Sequence, residues 1–218
     1  MKTANRHAEC IRLSSFLSKL PMIGLEQEGD VQRLAPSDLI PLLHKAGVDF
    51  VLAGAHGIAG WLREPRATQD VDFIIRLKDK QTAAAEILAK YPEFEVEKHP
   101  DVWRFKQGDS YFVDLMFARA PLFKRVINEY QETRMGKWQV KVPKVEAALA
   151  MKFAAMTGHY RNVRKKMQDA VDFMAVIELN TAIDSKLLAE LGELVYPGGG
   201  ADIVKYLDDA RAGRRLEI

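Results

Sequence analysis

Two aspartates one residue apart, Asp70 and Asp72, head an otherwise apolar run of strand formers that includes Val71, Phe73, Ile74 and Ile75. Side chains on a strand alternate between faces, so a strand here aims Asp70 and Asp72 one way and turns Val71, Phe73 and Ile75 the other. The sheet containing it must therefore carry core on one face and chemistry on the other. Two carboxylates that close repel each other in partly dry surroundings unless a cation sits between them or one stays protonated. A third acid, Asp114, interrupts a second strand-like run, Tyr111-Phe112-Val113-Asp114-Leu115-Met116-Phe117. A charge among such neighbours needs a partner, and if the two runs are sheet neighbours Asp114 completes a triad. Oxygen-only ligands favour Mg²⁺ or Mn²⁺ over zinc.

Composition sets wide limits. A chain of 218 residues suits one core, or one core with a helical appendage, at about 150 residues per domain. Hydrophobic residues at 48% and charged residues at 28% place it among globular proteins. A net charge of +2 gives no global reason to bind nucleic acid. The single cysteine, Cys10, excludes an internal disulfide and a cysteine-based zinc cluster, which fits a reducing compartment and leads us to expect the cytoplasm. Arg12 and Lys19 break up the N-terminal stretch, so no signal peptide is expected. The longest apolar window, residues 50–62, contains His56 and is too short to span a bilayer, so no membrane role is expected.

The expected fold class is α/β (α+β), a mixed β-sheet with flanking helices and a C-terminal helical lobe. Residues 1–48 read as a peripheral N-terminal helical segment, ending in a helix from about Pro36, capped by Ser37 and stopped by Gly47. Residues 49–142 read as the sheet domain. Residues 50–53 form a short buried strand turned by Gly54, and residues 55–62 a helix whose amino end suits phosphate. A strand at 71–77, an Ala-rich helix at 79–90 and an antiparallel meander at 94–98, 102–106 and 111–117 follow, with Gly108-Asp109 as a turn. A helix from Pro121 to about Gln131 leads to a strand at 138–142. Residues 143–218 read as the helical lobe, opened by Pro143 in a first turn. There Val163, Met167, Ala170, Met174 and Ile177 recur at helical spacing and predict a buried stripe on a helix beginning near Asn162. Gly198-Gly199-Gly200 lacks the lysine and hydroxyl of a phosphate-binding loop and reads as a linker.

Taken in order, Val51-Leu52-Ala53-Gly54-Ala55, Arg66-Ala67-Thr68-Gln69-Asp70-Val71-Asp72 and Val113-Asp114-Leu115 resemble the nucleotidyltransferase-fold superfamily, in particular its minimal, AbiEii-like branch. That branch shows a strand, a Gly-Gly or Gly-Ser step, a helix, an Arg-x-Thr-x-Asp-x-Asp segment and a later single Asp. The resemblance continues weakly through residues 143–155, with Lys152, to a basic stretch followed by Asp169 and Asp172. It implies a metal-dependent nucleotidyltransferase in which Asp70 and Asp72 hold Mg²⁺ (or Mn²⁺) with a nucleoside triphosphate. Asp114 would share an ion and help deprotonate the attacking hydroxyl. Gly54, Ala55, Arg66, Thr68 and Lys152 would contact the nucleotide. The implied acceptor is an RNA or protein hydroxyl, and the implied partner a cognate antitoxin or toxin protein, because members of this branch work in toxin-antitoxin or abortive-infection pairs. The chain departs from the pattern at Ala55, where no hydroxyl can reach phosphate, although backbone amides still can.

Two other functions stay open. One is a nucleotide-binding or regulatory module of the same fold without turnover, motivated by Ala55; the other is a metal phosphohydrolase, since three acids can also activate water. Individual residues also carry plainer readings. Arg66 and Thr68 suit a polar loop, and Lys152 suits a side chain snorkelling from a helix rim. Arg161, Arg164, Lys165 and Lys166 either grip a phosphate backbone or form a solvated face, with Lys165 placed for an intrahelical pair with Asp169. His159 reads as a surface residue, and Trp103 and Trp138 as packing residues.

Overall fold

The alternation at residues 71–75 divides the molecule: Val71, Phe73 and Ile75 belong to one apolar cluster and Ile74 to another on the opposite face. The computed structural model describes residues 2–20, 33–159 and 161–216. Positions 21–32 of the expected N-terminal helical segment lie outside the described residues. The described chain runs α1 (Lys2–Lys19), α2 (Pro36–Lys45), β1 (Phe50–Leu52), α3 (Gly54–Ile58), β2 (Val71–Ile75), α4 (Lys80–Lys90), β3 (Glu95–Lys98), β4 (Val102–Gln107), β5 (Ser110–Phe117), α5 (Pro121–Val126), β6 (Tyr130–Met135), β7 (Trp138–Pro143), α6 (Val145–Thr157), α7 (Val163–Leu179), α8 (Ser185–Glu193) and α9 (Gly199–Arg211).

The strands form one mixed seven-stranded sheet in the order β3-β4-β5-β2-β1-β7-β6. β2 is antiparallel to β1 but parallel to β5, and β1 is parallel to β7; the remaining pairs are antiparallel. On one face, Ile11 of α1, Leu39, Ile40 and Leu43 of α2, and Ala83 and Ile87 of α4 cluster with Phe73, Ile75, Val113 and Leu115. On the other, Leu149 and Phe153 of α6, Phe173 of α7 and Leu188 of α8 cluster with Val51 and Ile74. The α/β class and the meander agree with the expectation from sequence. No described helix is long and apolar enough to cross a membrane.

Several local expectations are corrected. Ala35, not Ser37, is the N-cap of α2, and the Asp38 carboxylate three residues on accepts the Ala35 amide at 2.9 Å. The helix expected at 55–62 is five residues of α-helix followed by a single 3₁₀ turn at Ala59–Trp61. The helix after Pro121 stops at Val126, and residues 130–135 are instead the edge strand β6, whose polar alternation matches its half-solvated position. Pro143 closes β7 rather than opening a helix, and α6 begins at Val145. α1 is not peripheral along its whole surface: His7, Ile11, Ser14 and Ser18 are buried.

The stripe expected on α7 holds only in its second half, where Ala170 and Ile177 are buried and Met174 packs on the core. Val163 and Met167 are 71% and 59% exposed, whereas Asp169, Ala170, Asp172, Phe173, Val176 and Ile177 are buried. Hydrophobic spacing assigns carboxylates to solvent, and here two of them turn inward to meet cations. The glycine run is not a linker but a close contact between helices. A Cβ on Gly199 would lie 2.4 Å from the Gly192 carbonyl oxygen, so α8 and α9 meet backbone to backbone.

Candidate active site

Parallel pairing of β2 with β5 sets Asp72 opposite Asp114, and Asp70 lies just ahead of β2 on the same face. One carboxylate oxygen from each of Asp70, Asp72 and Asp114 lies within 4.8 Å of the other two, and each acid is half-buried. This is a concentrated negative charge with little built-in compensation. The Arg104 guanidinium of β4 approaches Asp114 Oδ2 at 3.5 Å, while Asp114 Oδ1 is buried and has no hydrogen-bond partner among the described residues. Burial, reinforced by Asp70 and Asp114, pushes the Asp72 carboxyl well above the ordinary range. Burial likewise lifts Asp114 to about 6 against the pull of Arg104, with Asp70 adding to the rise. Three convergent carboxylates, one with an orphaned oxygen, are a donor set that fits a hard divalent cation.

Two neighbours fix the acids in place. Gly54 has φ +56°, and a Cβ there would stand 1.7 Å from Asp72 Oδ2, so backbone conformation and space both require glycine. The Ala53 amide donates to the Asp72 carbonyl at 2.8 Å, which holds the Gly54 turn against the strand. Thr68 Oγ1 donates to Asp70 Oδ1 at 2.5 Å. Ala55 is buried in the first turn of α3.

A second charged group lies beside the triad. Lys152 of α6 is buried and donates to Asp169 Oδ1 at 2.9 Å and to Asp172 Oδ2 at 2.6 Å, both on α7. Arg161 Nε donates to Asp169 Oδ2 at 2.5 Å, and Arg66 Nη2 lies 3.3 Å from Asp172 Oδ2. Three cations against two carboxylates leave this cluster with one positive charge in excess. Burial alone would raise the Asp172 carboxyl, but Lys152 and Arg66 outweigh it and hold the carboxyl below its ordinary value. The charges of Lys152 and Arg161 also act on Asp72, and that of Lys165 on Asp114.

All eight residues singled out in the sequence thus lie at the triad or in the loop and cluster bordering it, though not all as expected. Arg66 and Lys152 face carboxylates rather than open space, and Asp169 takes Lys152 and Arg161 instead of the intrahelical Lys165. Sequence reasoning missed Arg104, which the sheet register alone brings to Asp114. It also missed Ser14, Ser18 and His56, whose contacts link α1 to the Arg66–Thr68 segment. The one available signal was the spacing of His7, Ile11, Ser14 and Ser18 along a single helical face.

The family model described as "Nucleotidyl transferase AbiEii toxin, Type IV TA system" matches residues 43–216. Among solved structures, an antigenic nucleotidyltransferase-like protein from Paracoccidioides brasiliensis is 18% identical, with 79% of this chain and 89% of that chain covered and a TM-score of 0.49. The antibiotic-resistance factor ANT(2'')-Ia is 14% identical over 82% of this chain and 99% of its own, with a TM-score of 0.48. The lincosamide antibiotic adenylyltransferase LnuA is 14% identical over 66% of this chain and 99% of its own, with a TM-score of 0.45. None of the curated proteins matches the sequence.

Proposed function

The chain belongs to the AbiEii nucleotidyl transferase toxin family, and from that footing we propose that it is a divalent-metal-dependent enzyme moving a nucleoside monophosphate from a triphosphate to an RNA or protein hydroxyl. What carries the proposal is the meeting of three carboxylates within 4.8 Å beside a cluster, centred on the buried Lys152, with excess positive charge. Such a pair of surfaces suits a polyphosphate with its counter-ions.

In this proposal Asp70, Asp72 and Asp114 hold Mg²⁺ or Mn²⁺. When bound, the metal supplies Lewis-acid stabilisation of charge on the phosphoryl oxygens. The acceptor oxygen forms a bond to the α-phosphorus as the bond from that phosphorus to the bridging oxygen breaks, and pyrophosphate leaves. Asp114 takes the hydroxyl proton. Thr68 keeps Asp70 oriented, and Gly54 lets the backbone lie against Asp72. Amides near Gly54 and Ala55 face phosphate. Lys152 has three N–H donors; two serve Asp169 and Asp172, and the third would meet a phosphate oxygen along with Arg66. Residues 49–142 then form the metal-bearing domain, 143–218 the helical lobe that presents Lys152 and Arg161, and 1–48 an N-terminal helical segment. The enzyme would work in the cytoplasm alongside a cognate antitoxin or toxin protein.

The test is incubation of purified protein with Mg²⁺ or Mn²⁺, labelled triphosphates and candidate RNA and protein acceptors. The expected products are a labelled acceptor and pyrophosphate, both lost in Asp70→Asn. Undiminished transfer in that variant, or release of inorganic phosphate in place of pyrophosphate, would overturn the proposal.

A further inference from the structure

The segment that delivers Asp70 to the triad, residues 62–70, has no regular secondary structure. Backbone polar groups in such a segment need partners from elsewhere, and α1 provides two of them. Ser14 Oγ donates to the Arg66 carbonyl at 2.9 Å, and the Thr68 amide donates to Ser18 Oγ at 3.0 Å. Ser14 and Ser18 are buried and four residues apart, so they present two hydroxyls on one helical face at adjacent turns. Ser18 sends its own proton to the Ser14 carbonyl at 2.8 Å, which leaves its lone pairs for Thr68.

Proton counting then fixes a third group. A serine hydroxyl has one proton, and that of Ser14 goes to Arg66. The 2.9 Å contact between Ser14 Oγ and His56 Nδ1 is therefore a hydrogen bond only if the imidazole donates it. His56 is buried in α3, and burial holds its pKa down to about 4, so the ring is neutral at pH 7 and carries a single proton. That proton lies on Nδ1. Nε2 is left unprotonated, and it has no hydrogen-bond partner among the described residues.

We propose that Ser14 and Ser18 of α1, with His56 as the Nδ1–H tautomer, form a clamp that holds the Arg66–Thr68 segment and thereby positions Asp70 for the metal site. α1 lies outside the 43–216 span that the family model matches. The inference rests on the nucleotidyl-transfer proposal only for what is positioned; the clamp itself stands on the contacts. These are positioning residues and touch no reacting atom.

Nitrogen-15 spectra of labelled histidine in the full chain at pH 7 read the tautomer directly. His56 is expected as Nδ1–H in the wild type and in Ser14→Thr, and as Nε2–H or a mixture in Ser14→Ala. Exchange of the Thr68 amide with solvent should be slow in the wild type and at least roughly tenfold faster in Ser18→Ala, the loss of one hydrogen bond. Mn²⁺ affinity should fall roughly tenfold in the Ser14→Ala, Ser18→Ala double variant with helical content retained, and kcat should fall more than KM for the triphosphate rises. An Nε2–H tautomer in the wild type overturns the clamp, and so does a folded double variant that binds Mn²⁺ like the wild type. A wild type that shows the Nδ1–H tautomer and slow Thr68 exchange but binds no Mn²⁺ supports the clamp while sinking the metal assignment of the triad, so the two failures are distinguishable. If the double variant does not fold, the wild-type tautomer and the Ser18→Ala exchange rate still decide.

Discussion

The molecule gathers aspartates in two neighbouring places and treats them in opposite ways. In the helix-borne cluster, Asp169 and Asp172 each meet two cations, and the Asp172 carboxyl is held below its ordinary value. In the strand-borne triad, Asp70, Asp72 and Asp114 meet mainly one another and one arginine at 3.5 Å, and Asp72 and Asp114 are raised. The residue type is the same, and Asp72 and Asp114 are raised although they are the less buried, so the difference lies in whether the fold supplies the counter-charge. The carboxylates of the cluster are compensated as folded. The triad is complete only with something positive added, and this unfinished balance marks it as the working site.

The sharpest way to break that contrast is Asp72→Asn. If the triad holds the metal, transfer should fall on the order of 10³-fold or more, because residues acting as a unit fail together. Metal-free thermal stability should stay level or rise, since a half-buried and repelled carboxylate is gone. A variant that loses stability as well as activity would show that the triad, like the cluster, is structural.

Lys152→Met tests the other side. Removing one partner of a buried pair leaves uncompensated charge, at a cost of about 3–5 kcal/mol. Denaturant unfolding should show this loss with no metal present, and Arg66 and Arg161 should only partly cover it. A loss below about 1 kcal/mol would mean that the lysine is held there for ligand and not for the fold.

The two regions should also separate by pH. Asp172 is lowered, so its contribution is present above its unfolded value near 4 and is lost as pH falls through the lower folded value. Asp114 is raised to about 6, so the native state binds its proton more tightly, and stability falls as pH rises from about 4 to about 6. Metal-free Asp114→Asn should match the wild type near pH 4 and exceed it above pH 6, by on the order of 2–3 kcal/mol. Saturating Mn²⁺ should close most or all of that gap, because only the wild type gains about 2.7 kcal/mol at a hundredfold excess over Kd. Calorimetry across pH with and without Mn²⁺ checks both arms; parallel curves would remove Asp114 from the comparison.

The two regions also differ in how far they could be read from sequence. Asp70, Asp72 and Asp114 stand out because each interrupts a run of strand formers, and a parallel register of adjacent strands is enough to bring them together. Asp169 and Asp172 are visible as residues but not as buried ones. Periodicity counts a charge as exterior, so the predicted face of α7 ran through Val163 and Met167, which are exposed. Strand β6 was missed for a related reason: Tyr130-Gln131-Glu132-Thr133-Arg134-Met135 is an edge strand whose half-polar pattern lacks the apolar run of a central one. The α1 contacts were least legible, since two serines on a helix imply nothing until the loop they hold is in place.

Residues 66–70 physically join the regions. Arg66 reaches Asp172 in the cluster, and two residues on Thr68 reaches Asp70 in the triad. If the cluster serves as the anchor from which the incomplete triad is aimed, the two contacts should not be independent. Arg66 is 37% exposed at its side chain, so Arg66→Met should cost well under 1 kcal/mol in stability. Thr68→Val removes one hydrogen bond, about 1 kcal/mol, from the orientation of Asp70. Mn²⁺ titration of the two single variants and the double variant closes a thermodynamic cycle. A coupling of at least about 0.5 kcal/mol is expected, because residues sharing one rigid segment fail to add. Strict additivity would mean that the triad is aimed by β2, β5 and α1 alone, and that the cluster is merely its neighbour.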